Sequence, residues 1–172
     1  MRQILIGSLR DGRISIRHLM RMFCFRHEVF RCKLGWDVNS FNGLETDQYD
    51  HLDTIYILSL DTAGMVNGCL RLLPTTSSYM LKDSFAYLFD ENQRPPLDRQ
   101  IWEGSRLAVA SHNREQIPGS VITLEILAKM FEFAFDNNIR EYVACVSMAV
   151  EHLLSKKIGL PMQRIGRPQH IG

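Results

Sequence analysis

Ile55-Tyr56-Ile57-Leu58-Ser59-Leu60-Asp61-Thr62-Ala63-Gly64-Met65-Val66-Asn67-Gly68-Cys69-Leu70-Arg71-Leu72-Leu73-Pro74 sets two apolar runs on either side of a polar tetrapeptide. Each run has strand length, and Asp61 to Gly64 carries turn chemistry, so the stretch predicts an antiparallel hairpin. Pro74 lacks the N–H that a ladder needs and ends the second strand. Upstream, residues 2–7 read as a short strand. From Ile14 to about Leu34 apolar residues fall at 16, 19, 20, 23, 30 and 34, a helical period. Asn39 to Asp53 is polar, with Asn42-Gly43 marking a turn, and reads as a loop. Downstream come a short helical or irregular segment at 77–90, a loop at Pro95-Pro96 and a third strand, Ile101–Ala110. A helix then runs to Asp136 with Leu124, Leu127, Phe131 and Phe135 along one face. Tyr142–Ser147 follows as a fourth strand, Ala149–Lys157 as a helix ended by Gly159, and Met162–Ile165 as a last strand. This order describes one domain over residues 1–172, an α/β fold with a mixed central sheet flanked by helices.

Composition agrees with such a fold. The chain has 172 residues, 45% apolar and 23% charged, enough to bury a core without metal or disulfide staples. No apolar run approaches the roughly 20 residues that span a bilayer, and the N-terminus lacks the apolar region of a signal peptide. Cys24, Cys32, Cys69 and Cys145 form no C-x-x-C pair, and are expected to be reduced thiols in a cytoplasmic protein. Net charge is +1, yet residues 1–36 carry eight basic against two acidic side chains, and residues 37–103 carry four against eleven. The two segments either neutralise each other within the fold or serve partners of opposite charge. Arg13, Arg17 and Arg21, four apart, make a basic stripe on the first helix. The stripe lacks interleaved aromatics and the chain as a whole lacks a basic net charge, which sets aside a nucleic-acid binder.

Several residues are candidates for chemistry. Arg26 and Phe30 share a helix face, with Trp36 just beyond; together they suit a ligand bearing a sulfonium or aromatic ring and a carboxylate, or else two core aromatics and a locally paired arginine. Glu45-Thr46-Asp47-Gln48-Tyr49-Asp50 lacks the calcium-loop pattern, and Asp47 and Asp50 either meet an ammonium group or cap a turn. Arg71 stands inside an apolar strand, where a guanidinium needs a carboxylate, and Glu103 is the expected partner across neighbouring strands. Period two sends Glu103 and Arg106 to opposite faces, so a shared cleft requires a bulge or kink, for which Gly104 is suited. The six histidines show no metal or triad spacing, so no metal is expected. Gln116-Ile117-Pro118-Gly119-Ser120-Val121 is a defective pyrophosphate loop, because Val121 stands where a small residue would let backbone amides reach an anion.

In order and spacing these residues resemble the acyl-homoserine-lactone synthases, the autoinducer synthases of quorum sensing. The family's pattern has Arg, Phe four on and Trp six further, then Asp-x-x-Asp, an Arg in an R-L-L-P-T strand, and Glu-x-x-Arg after a Trp. Here these are Arg26, Phe30, Trp36, Asp47, Asp50, Arg71, Glu103 and Arg106, with Met80-Leu81 before Phe85 matching as well. The match is strong over about residues 20 to 110 and loose elsewhere, and the chain is at the short end for the family.

The resemblance implies a fold similar to the GNAT acyltransferases, with a cleft between splayed strands. It also implies transfer of an acyl chain from acyl carrier protein, or more rarely from acyl-coenzyme A, to the α-amine of S-adenosylmethionine. That molecule is then a substrate rather than a cofactor, and lactone closure expels methylthioadenosine. On this reading Glu103 and Arg71 are catalytic, as base and its orienting partner. Arg26, Phe30, Trp36, Asp47, Asp50 and Arg106 bind S-adenosylmethionine, with Asp47 and Asp50 either balancing Arg26 and Arg106 or meeting the amine. Phe85, Val146 and Ser147 line the acyl tunnel, and the absence of Thr at Val146 leans towards a chain that is not 3-oxo. Lys156, Lys157, Arg164 and Arg167 are expected to dock the acidic carrier protein. The basic N-terminal part, residues 1–36, is expected to order when substrate arrives. The alternative is a GNAT-type N-acyltransferase that uses acyl-coenzyme A and another amine.

Overall fold

The computed structural model describes residues 3–110 and 121–169. Among them the chain runs through β1 (Gln3–Gly7), α1 (Ile16–Arg26), a π-helical turn (His27–Lys33), and the two-residue strands β2 (Ser40–Phe41) and β3 (Leu44–Glu45). It continues through β4 (Ile55–Leu60), β5 (Val66–Pro74), α2 (Met80–Asp83), a 3₁₀ turn (Ala86–Leu88), β6 (Ile101–Val109), α3 (Val121–Asp136), β7 (Glu141–Val143), α4 (Met148–His152) and a second π-helical turn (Leu153–Lys157). Five strands form one sheet in the order β1-β4-β5-β6-β7, antiparallel except for the parallel β6–β7 pair.

The hairpin forms as its sequence predicts. Asp61 Oδ1 accepts from the amides of Ala63 and Met65, and Gly64 takes the left-handed conformation (φ +71°) that closes the turn. Ser15 caps α1 in a reciprocal box with His18, each side chain accepting from the other's backbone N–H.

Alternation along the strands splits the sheet into two unlike faces. Towards α3 point Ile57, Leu70, Leu72, Trp102, Leu107 and Val109, which pack with Ile126, Leu127 and Met130 of that helix. Burying each such side chain contributes roughly 1.5–3 kcal/mol. Gly68 permits the close approach, since a Cβ there would stand 2.7 Å from Ile122 Cγ2 and 2.9 Å from Ile126 Cδ1. Towards α1 point Tyr56, Leu58 and Cys69, packed with Met22, Val29 and Phe30. The same face also carries the buried Arg71, Glu103 and Ser105.

Several expectations need correction. The first helix does not run unbroken to Leu34, because its last part widens to a π-helix at His27. The loop over 39–53 contains the β2–β3 hairpin, with Asn42 and Gly43 both left-handed. The buried face of α3 is Thr123, Ile126, Leu127, Met130 and Ala134; Leu124, Phe131 and Phe135 face solvent. That helix is apolar on two sides, so periodicity alone could not choose between them. The strand expected over Tyr142–Ser147 ends at Val143, and residues 162–165 form no strand. Pairing of β6 with β7 is confined to Ile101–Glu141, Trp102–Tyr142 and Glu103–Val143, after which the two segments part. Glu103 therefore sits at a fork, as a splayed-strand cleft requires.

Candidate active site

Six charged side chains converge on the α1 face. Arg26, at the end of α1, grips Asp50 with both terminal nitrogens at 2.8 and 3.0 Å and donates from Nε to Glu45 at the end of β3. Arg71 donates to Asp47 at 2.5 Å, to Asp50 at 3.1 Å and to Ser105 Oγ at 3.1 Å. Arg106 donates to Glu45 at 3.0 and 3.2 Å and to Asp47 at 2.9 Å. Tyr56 adds a hydroxyl bond to Asp50 at 2.9 Å. Three guanidiniums thus face three carboxylates, and the cluster is neutral.

Buried ions are costly unless paired, and every ion in the inner part of this network has its counterion. Arg26, Glu45 and Arg71 have no exposed side-chain surface. The neighbouring arginines outweigh the cost of burial for Asp50, and hold its carboxyl down to about 2. Only the edge formed by Arg106 (12% exposed) and Asp47 (15%) reaches solvent.

Arg106 reaches the network through a bulge. Leu70 of β5 faces two residues of β6, Arg106 and Leu107, because pairing jumps from Arg71–Ser105 to Cys69–Ala108. Arg106 takes a left-handed conformation (φ +55°), uncommon for a side chain of its size. The extra residue resets the alternation, so Glu103, Ser105 and Arg106 share one face. The bulge demanded by the sequence therefore exists, but at Arg106 rather than at Gly104.

The expected Arg71–Glu103 ion pair is not formed. Glu103 lies opposite Leu73, whereas Arg71 lies opposite Ser105. The Glu103 carboxylate instead accepts from the Met80 and Leu81 amides at the start of α2, at 3.0 and 2.6 Å. Burial pushes this carboxyl above its ordinary value; the two amides, and Arg71 through space, oppose that shift.

Aromatic groups complete the wall. Phe30 stacks on Trp36 with centroids 5.1 Å apart and planes at 15°, and the Arg106 guanidinium lies 5.6 Å from the Phe30 centroid. Phe30 is buried, while Trp36 is half exposed. Two guanidinium nitrogens turn to the same soft acceptor: Arg106 Nη1 at 3.2 Å and Arg71 Nη2 at 4.0 Å from Met80 Sδ. A thioether accepts weakly, so these are the least satisfied donors of the network.

Phe85 joins Tyr79, Leu81, Leu73 and Val143 in the cluster beside the fork. Val146 and Ser147 lie apart from it: Val146 is 38% exposed, and Ser147 caps α4 by accepting from Val150 N. At the far end of the chain Arg164 is held by Glu151 at 2.6 and 2.7 Å and Arg167 lies 3.8 Å from Asp90, whereas Lys156 and Lys157 are exposed without an ion pair to a described residue. Residues 116–120 of the defective loop lie outside the described residues. Sequence reasoning missed Glu45, which bridges Arg26 and Arg106; its place in the dense acidic turn was the available signal. It also missed Ser105, Tyr56 and Met80, for which only their neighbours in the motifs could have spoken. Among the described residues no helix is long and apolar enough to cross a membrane, and no group of three or more His, Cys, Asp or Glu is placed to hold a metal ion.

Known proteins resemble this chain in both sequence and fold. The acyl-homoserine-lactone synthase of Aliivibrio fischeri (strain ATCC 700601 / ES114) is 42% identical over 142 residues, covering 82% of this chain and 72% of the relative. An acyl-homoserine-lactone synthase of Pseudomonas aeruginosa is 39% identical over 170 residues, covering 97% and 80%. The CoA-dependent acyl-homoserine lactone synthase BjaI, solved with SAM and isopentyl-CoA, superposes with a TM-score of 0.87 at 27% identity, covering 99% of this chain and 78% of that one. An acetyltransferase of the GNAT family from Staphylococcus aureus Mu50, 12% identical with a TM-score of 0.60, shares the fold alone. The family model described as autoinducer synthase matches residues 13–172, and the chain belongs to that family.

Proposed function

We propose that this chain acylates the α-amine of S-adenosylmethionine from an acyl carrier protein and then closes the lactone. The observation that carries the site assignment is the pair of under-satisfied guanidinium donors, Arg71 Nη2 and Arg106 Nη1, aimed at one point beside the Phe30–Trp36 stack. A carboxylate placed there gains charge-assisted hydrogen bonds that the Met80 sulfur cannot supply. The stacked rings then lie within reach of a sulfonium or an adenine, and Asp47, on the accessible edge, within reach of the amine.

The chemistry runs in two steps. The amine nitrogen attacks the thioester carbon, the carrier's thiol leaves, and one proton must go from nitrogen to a base. Glu103 is that base, directly or through a water: its raised affinity for a proton suits the role, and two amide bonds leave carboxylate lone pairs free. Arg71 acts on Glu103 through space rather than by contact. A carboxylate oxygen of the acylated product then attacks Cγ; the Cγ–S bond breaks, and methylthioadenosine carries away the electron pair. Holding attacking oxygen and Cγ in line matters more here than acid help, and Arg71 and Arg106 supply that hold. Phe85 and the cluster at the β6–β7 fork would receive the acyl chain, with Val146 and Ser147 further along its path.

The donor is the finer part of the proposal. Exposed Lys156 and Lys157 suit an acidic carrier protein; coenzyme A is the second reading, favoured by the likeness to CoA-dependent BjaI. Incubation with S-adenosylmethionine and either acyl carrier protein or coenzyme A thioesters, followed by mass spectrometry, decides. Lactone and methylthioadenosine formed with the carrier thioester at the lower KM support the reading. Lactone formed only from the coenzyme A thioester rejects the donor, and acylation of other amines without methylthioadenosine release rejects the reaction. Lys156→Glu with Lys157→Glu is expected to raise KM for the carrier substrate roughly tenfold, as for a lost steering patch, with KM for S-adenosylmethionine unchanged. Equal effects on both would remove the docking role.

A further inference from the structure

The π-helical turn after α1 brings together a set of groups that the charged network does not use. In an α-helix, residues five apart stand about 140° apart around the axis. The wider π turn sets His27 and Cys32 side by side, with Cys32 Sγ 3.4 Å from His27 Nε2. The other ring nitrogen, Nδ1, meets Ser40 Oγ on β2, and the Ser40 hydroxyl donates in turn to the Leu44 carbonyl at 3.2 Å. We assign the ring proton to Nδ1 on the ground that the Ser40 hydroxyl donates to Leu44, so that Ser40 Oγ accepts from the ring. Nε2 is left with its lone pair towards the thiol. Cys32 is exposed to solvent. Nucleophile, base and a third group that orients the base are the parts of an activated thiol.

We propose that Cys32 is a thiol–disulfide exchange site, with His27 as its base and Ser40 as the residue that positions the base, open to low-molecular-weight disulfides such as oxidised glutathione. The Cys32 S–H proton passes to His27 Nε2, and the sulfur attacks one sulfur of the disulfide. The new S–S bond forms as the old one breaks, and the departing thiolate takes the proton back from His27. One disulfide and one thiol enter; one mixed disulfide and one thiol leave. Because the three groups join the π-helical turn to the β2–β3 hairpin that ends in Glu45, the exchange site lies beside the charged network and outside it. The chemistry does not depend on the substrate assignment.

Cys24 supplies an internal control, being exposed as well but with no hydrogen bond to a histidine among the described residues. The test exposes the native protein to oxidised glutathione and quenches with acid at intervals. Modification of each cysteine is then followed by peptide mass spectrometry. Cys32 is expected to react at least roughly tenfold faster than Cys24, a modest share of what a positioned base contributes. His27→Gln should bring Cys32 down to the Cys24 rate while leaving Cys24 itself unchanged, and Ser40→Ala should slow Cys32 less. Equal rates at the two cysteines in the native protein would overturn the proposal, as would an unchanged Cys32 rate in Ser40→Ala should His27→Gln fail to fold.

Discussion

The two faces of the central sheet are made by the same strands and follow opposite rules. On the α3 face, β5 and β6 present Leu70, Leu72, Trp102 and Leu107, and α3 seals them with Ile126, Leu127 and Met130. One residue along, the same strands present Arg71, Ser105 and Arg106 to the charged groups of α1 and of the segment from Glu45 to Asp50, and Glu103 to the start of α2. The apolar face needs only volume and shape. The charged face needs each partner in place, because a buried ion that loses its counterion costs more than a buried methyl that loses a neighbour.

That contrast predicts a graded set of outcomes. Arg26→Met leaves Glu45 and Asp50 without their innermost cation and is expected to cost roughly 3–5 kcal/mol of stability, read by urea unfolding. A loss under 1 kcal/mol would show that the network relaxes as freely as a surface. Glu103→Gln is expected to lower kcat by roughly 10²–10⁴-fold with KM for S-adenosylmethionine little changed. It should also remove the acid limb of the native rate profile, which stands above the ordinary carboxylate range because burial raises this group. Full activity in that variant would take the base role from Glu103.

Acidification tests the network without mutation. Asp50 is held at about 2, below its usual 3.8, so its contribution is present above pH ~4 and is lost as pH falls towards 2. The native protein should lose on the order of 2 kcal/mol over that window, and Asp50→Asn should lose this part of the slope in melting temperature against pH. The smallest effect belongs to the outer side of α3. Phe135→Ser, at a residue 88% exposed, should change stability by under about 0.5 kcal/mol, while Ile126→Ala on the inner side costs about 2–4 kcal/mol. Equal costs would mean that the outer stripe is buried against something in solution.

How much was legible follows from the same division. The hairpin could be read because its information is local: two apolar runs, Asp61 for the turn and Pro74 for the stop. The site constellation could be read because eight residues of five types stand at set spacings from Arg26 to Arg106. What escaped was pairing. Nothing in the sequence shows that Arg71 takes Asp47 and Asp50 while Glu103 takes two backbone amides of α2. Period two foretold that Glu103 and Arg106 need a bulge, but placed it at the glycine; the chain put it at Arg106, where three charge-assisted hydrogen bonds to Glu45 and Asp47 offset the cost of the left-handed backbone. The inner face of α3 escaped because Leu124 and Phe131 are as apolar as Ile126 and Met130.

Arg106 stands where glycine would be comfortable and where only a guanidinium can span two acids. Glycine or asparagine there would keep the shape and surrender the charge, and lysine would keep the charge but lose the fork. Form and reactivity at this point in the chain therefore share a single residue, and no replacement among the common amino acids preserves both.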